Sequence, residues 1–117
     1  MSELILYRSN DGTVRLDVQL ERETIWLSQA QIADLFDSER SVITKHLRNV
    51  FTSGELDRDS VCVKFAHTAA DGKVYNTQFY NLDAIISVGY RVNSKRGTEF
   101  RIWATNVLRQ HLVQGYT

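Results

Sequence analysis

Residues 27–51 read LSQAQIADLFDSERSVITKHLRNVF, and the fold turns on how this stretch is divided. Ser28 and Gln31 have the spacing of a capping box, S-x-x-Q, in which two orphan backbone donors at a helix start are satisfied reciprocally. Ile32, Leu35 and Phe36 then set apolar groups on one face of a short helix, and Ala33 is small enough for a second helix to cross close by. Asp37-Ser38 interrupts the pattern with residues that favour turns and N-caps. Beyond it, Ile43, Leu47, Val50 and Phe51 return at helical spacing. Ser41, Thr44, Lys45 and Arg48 lie on another face of the same helix, at i, i+3, i+4 and i+7. One face is apolar; the other is polar, free of carboxylates and partly cationic.

This arrangement resembles a helix-turn-helix, whose second helix enters the DNA major groove. Ala33 sits in the first helix, Ile43 follows ten positions later and Leu47 four after that. One feature departs from the motif. The turn position often held by Gly is Asp37, which adopts a left-handed conformation less readily. The competing reading is an ordinary helical hairpin whose polar face meets water.

Upstream, residues 4–8 and 13–20 read as strands joined by Asn10-Asp11-Gly12, a hairpin signal. Val14, Leu16, Val18 and Leu20 alternate with polar residues, which implies one buried and one wet face. Glu21-Arg22-Glu23 is a charged turn, and residues 24–27 form a short strand leading into the first helix, with Trp26 as a core plug against the helical pair. Downstream, Gly54 marks the end of the second helix, and residues 55–60 read as a solvated acidic loop that should point away from phosphate.

Residues 61–68 and 73–80 flank Ala69-Ala70-Asp71-Gly72, a second hairpin signal. A hairpin just after a helix-turn-helix resembles the wing of a winged-helix domain, with Lys64, His67, Lys73 and Asn76 available for phosphate. The alternative is a surface hairpin that only completes a sheet. Asn81 is the expected N-cap of a helix over 82–92, with Leu82, Ile85, Ile86, Gly89 and Tyr90 on one stripe. Gly89 costs about 1 kcal/mol there against Ala, so close packing should explain it. Residues 93–97 read as a polar, basic loop and Thr98 as the cap of a last helix. Phe100, Trp103, Ala104, Val107, Leu108 and Leu112 line one stripe of that helix, and Gly115 is its expected end. Lys95, Arg96 and Arg101 around that loop are candidate phosphate ligands, since a basic loop ahead of a helix offers both side chains and backbone donors.

The chain of 117 residues is 43% apolar, enough for one folded domain spanning residues 1–117. Net charge is zero, so no global basic field announces a nucleic-acid partner. The charge is unevenly placed. Residues 1–37 hold three Lys/Arg against seven Asp/Glu, a balance of −4, and residues 38–117 hold eleven against seven, a balance of +4. The sign changes where the candidate recognition helix begins, which suits a one-sided DNA contact and equally a self-association of unlike faces.

Cys62 is the sole cysteine, so no intramolecular disulfide forms, and a reducing, cytoplasmic location is expected. No segment has the length and apolarity of a membrane span. His46, His67 and His111 lack close metal-ligand partners, and there is no Gly-rich phosphate loop, G-x-S-x-G elbow or compact Cys-His pair. Neither an enzyme nor a cofactor is therefore expected.

The segments WLSQAQIADLF (26–36), GELDRDSV (54–61), AADGKVYNTQFYNLDAIISVGYRVNS (69–94) and RGTEFRIWATNVLRQHLVQGY (96–116) resemble the N-terminal region of the RhuM virulence-protein family. FRIWATNVL (100–108) is also similar to the Bro-N type of phage antirepressor domain. The resemblance implies a DNA-binding protein associated with mobile elements or pathogenicity islands, and a chain that is the N-terminal part of something longer.

The resulting expectation is an α+β, winged-helix-like helix-turn-helix domain with an N-terminal β-hairpin, a second hairpin as wing and two C-terminal helices. It would bind double-stranded DNA as a transcriptional regulator. Arg40, Ser41, Thr44, Lys45 and Arg48 would meet the groove, and Lys73, Lys95, Arg96 and Arg101 the phosphates. Symmetric sites favour a homodimer, with the last helix, Trp103 and Leu112 included, as interface; the alternative for that helix is an intramolecular core role. The rival function is a protein-interaction module of antirepressor type.

Overall fold

The computed structural model describes residues 3–114, without the side chains of His67, Leu112, Val113 and Gln114. The expected helix end at Gly115 and the place of Leu112 on the last stripe fall outside the described residues, as does any wing contact by the His67 side chain. The fold is α+β, with one five-stranded antiparallel sheet and five helices among the described residues.

Strand β1 (Glu3–Arg8) pairs with β2 (Arg15–Glu21) in an unbroken register, Ile5 opposite Val18 and Tyr7 opposite Leu16. Asp11 builds the connection. Its Oδ1 accepts from Ser9 Oγ at 2.7 Å, Thr13 N at 3.0 Å and Thr13 Oγ1 at 2.7 Å. Next comes β3 (Thr24–Ser28), reached through Arg22 and Glu23, which both have positive φ (56° and 62°) and are closed by the Glu21–Thr24 pair. Positive φ at both central residues is the type I′ pattern that matches strand twist.

Leu16, Val18, Leu20, Ile25 and Leu27 bury their side chains in the core under the helices. Trp26 alternates to the other face. It is buried there against Phe65, ring centroids 5.7 Å apart, with its Nε1 donating to the Glu21 carbonyl, so it is no plug against the helical pair.

Helix α1 (Gln29–Leu35) starts on the expected capping box: Ser28 Oγ accepts from Gln31 N, and Gln31 Oε1 accepts from Ser28 N at 2.9 Å. It ends in a Schellman motif, Ser38 N donating to Ala33 O at 2.9 Å and Asp37 N to Asp34 O at 3.3 Å. Asp37 occupies the left-handed position of that motif, with φ 50°. Helix α2 (Arg40–Thr52) follows at once. Part of the expected acidic loop is in fact the helical turn α3 (Arg58–Val61), which buries Val61.

The second hairpin is β4 (Cys62–Thr68) and β5 (Val74–Asn81). Strand β5 also pairs with β3, Trp26 opposite Asn81 and Ser28 opposite Phe79, so the sheet order is β1-β2-β3-β5-β4. Helix α4 (Leu82–Val92) has the expected Asn81 cap, whose side chain accepts from Ala84 N. Its buried stripe is Ala84, Ile85, Val88 and Gly89; Tyr90, expected inside, is exposed.

The expected loop at 93–97 does not exist. Helix α5 (Ser94–Gln114) begins directly after Asn93, whose Oδ1 accepts from Arg96 N, and Thr98 lies inside it. Gly97 in its first turn packs on Gly89 of α4. A Cβ built on Gly89 would lie 2.7 Å from Phe36 Cζ and 3.2 Å from Gly97 Cα, so the packing anticipated at Gly89 is present. Trp103 stacks edge-on to Tyr7 at 4.9 Å and beside Phe100 at 5.5 Å, which commits much of the ring to the chain's own interior.

Candidate nucleic-acid interface

The hydrophobic period of α2 buries Ile43, Leu47 and Val50 and turns Arg40, Ser41, Thr44, Lys45 and Arg48 outward, all five exposed. Among the described residues, no hydrogen bond or ion pair engages the charged ends of Lys45 and Arg48. Thr44 is held more firmly. Its hydroxyl donates to the Arg40 carbonyl at 2.9 Å and receives the Gln29 amide, whose Nε2 also reaches the Arg40 carbonyl at 3.2 Å. Gln29 thus ties the start of α1 to the first turn of α2. Sequence reasoning passed over it because an amide at a helix start has no periodic signature.

His46 is half-buried beside this face, and its Nδ1 has no partner among the described residues. Burial, then the nearby charges of Lys45 and Arg91, lower its pKa below the ordinary histidine value. The ring is therefore neutral at physiological pH and adds no cation to the helix.

A crease of about 280 Å³ joins this helix pair to the second hairpin. Its lining includes Gln29, Ala30 and Arg40 from the helices and Thr77, Gln78 and Tyr80 from β5. At the hairpin tip Lys73 is exposed after Gly72 (φ 82°). Asp71 accepts from the Lys73 backbone N–H and from the Tyr75 hydroxyl, each at 2.9 Å. Those bonds hold the Asp71 carboxyl below its ordinary pKa, so an anion stays next to Lys73 and reduces its field. Lys64 and Asn76 are exposed on the two strands.

The three candidate cations in and beyond the expected basic loop, Lys95, Arg96 and Arg101, are placed differently from one another. Arg96 is an internal brace: its guanidinium donates to the Leu35 carbonyl at 3.2 Å and Thr13 Oγ1 at 3.1 Å, and lies 3.5 Å from Asp11 Oδ2. A cation there satisfies the carbonyl end of α1. Arg101 is half-buried, with its Nε sealed from solvent and unpartnered among the described residues. Lys95 is exposed, beside a pocket of about 370 Å³ that also holds Asp11 and Glu99. Two carboxylates make that pocket a poor phosphate site. Arg91, on α4, pairs with Glu55 at 2.7 Å and draws part of the acidic segment onto that helix.

Among the described residues, no three His, Cys, Asp or Glu side chains are grouped to hold a metal ion, and no helix is long and apolar enough to cross a membrane. Residues 60–117 match the model of the Virulence protein RhuM family. No curated protein and no solved structure matches the chain.

Proposed function

We propose that this chain, which belongs to the RhuM virulence-protein family through residues 60–117, is a winged helix-turn-helix domain that binds duplex DNA. The observation that carries the reading is the outward face of α2, polar, cationic and uncovered along its length, on a helix whose other face is locked into the core. The topology supports the winged form. The strand before the helix pair, β3, hydrogen-bonds to the second strand of the hairpin that follows it, so hairpin and helices share one sheet.

In this reading α2 lies in the major groove. Lys45 and Arg48 donate to phosphate oxygens or to the acceptor edge of guanine, and Ser41 bonds to either. Arg40 reaches the backbone beside the crease, and Lys73 reaches it from the wing. Thr44, fixed by Gln29, shapes the surface. Arg96 has no part in this set because its donors are used inside the chain. A role in transcription, in the cytoplasm, follows from sequence-specific binding.

Selection of bound duplexes from a random pool by the purified domain tests the proposal. A recovered consensus is the expected result. Failure to retain any duplex at low salt would defeat it.

A further inference from the structure

The described sheet has β1 and β4 at its edges. The β4 edge carries the exposed Lys64, a charge of the kind that discourages strand addition. The β1 edge, ELILYR, has no charge between Glu3 and Arg8 and no bulge in its register. It also leaves Leu4 65% and Leu6 49% exposed, on the sheet face opposite Tyr7. A straight edge strand with two bare leucines is a template for another strand.

We propose that β1 pairs with β1 of a second copy, antiparallel about a two-fold axis, joining the two sheets edge to edge. The sequence of the strand makes the second copy the fitting partner. A two-fold normal to the sheet keeps each face on its own side, so residues set opposite one another must share a face. Only every second register meets that condition.

With Ile5 opposite its own counterpart, Leu4 faces Leu6 and Leu6 faces Leu4. Four exposed leucines then close into one apolar patch, Glu3 meets Tyr7, and no like charges oppose. The next allowed register, centred on Leu6, sets Leu4 against Arg8. Pairing of β1 with β4 of another copy brings in Lys64 and is head-to-tail, so it need not close. The last helix packs on the other face of β1, where Trp103 stacks on Tyr7 and His111 Nδ1 lies 3.8 Å from Glu3 Oε2, so the leucine patch forms on the face that helix does not occupy.

Sedimentation of the DNA-free chain over a concentration series tests this independently of any nucleic-acid reading. The wild type should move from 13.5 kDa toward twice that mass as concentration rises. Leu4→Lys with Leu6→Lys should stay monomeric with an unchanged far-ultraviolet dichroism spectrum. Should the double change unfold the chain, Leu6→Glu alone serves as the same test. Ile102→Lys, at a residue of α5 that is 51% exposed, should still self-associate. A wild type that stays monomeric at every concentration overturns the proposal. So does self-association that survives the β1 changes, or that disappears with Ile102→Lys.

Discussion

Asp37 shows how a single residue carries the turn between the two helices. Its φ of 50° is the left-handed cap that closes α1, and an L side chain there costs energy that Gly avoids. Asp37→Gly should therefore stabilise the domain by about 0.5–1 kcal/mol, net of the greater freedom Gly has when unfolded. A lower melting temperature for the variant would contradict this. Asp11 acts through charge. The Thr13 backbone N–H, then the Ser9 and Thr13 hydroxyls, hold its carboxyl far below the ordinary range. A depressed folded pKa gives stability that is complete above the ordinary Asp value of about 4 and is lost as pH falls below it toward the folded pKa. Thermal melts from neutral pH to pH of about 2 should show the wild type losing stability below pH about 4 more steeply than Asp11→Asn. Parallel acid limbs would mean that the Asp11 bonds do not persist in solution.

At the scale of elements, the join of α4 and α5 depends on two glycines that play unequal parts. Gly89→Ala drives a methyl into the Phe36 ring and against the backbone of Gly97 and should destabilise by about 1–3 kcal/mol, despite its better helix propensity. At Gly97 the nearest atom to an added Cβ is 3.4 Å away, an ordinary contact, so Gly97→Ala should be neutral or stabilising by up to about 1 kcal/mol. Denaturant melts of the pair check this; equal effects would refute the close crossing. The same crossing explains what the sequence hid. Both hairpins, the capping box and the Asn81 cap are local patterns, and each was readable. Residues 93–97 are turn-forming by composition, yet Asn93 caps them as the first turn of α5, Arg96 is braced on α1 and Gly97 packs on Gly89. Residues 24–27 read as a short strand with Trp26 set against the helical pair; Ile25, Trp26 and Leu27 are all buried, and strand alternation puts Trp26 on the face away from the helices.

Across the whole molecule, the sheet order follows from pairing β3 with β5, which sets Trp26 against Asn81. That pairing has no turn signal, because the helix pair and a strand lie between its partners. The candidate interface was legible where it is periodic, along α2. The internal bracing of Arg96 was not legible, because Asp11, Thr13 and the Leu35 carbonyl that hold it are brought together only by the tertiary fold. The crease between Arg40 and β5 likewise needs the assembled sheet. The central claim is that the outer face of α2 enters DNA, and a salt titration of duplex binding by wild type and by Lys45→Ala with Arg48→Ala tests it most directly. These exposed changes should shift stability by no more than about 0.5 kcal/mol each. The account predicts a steep fall in wild-type affinity with salt, at least about tenfold weaker binding by the variant, and a log–log slope shallower by about 0.9 for each phosphate that the variant leaves unneutralised. A folded variant with wild-type affinity and slope would contradict it.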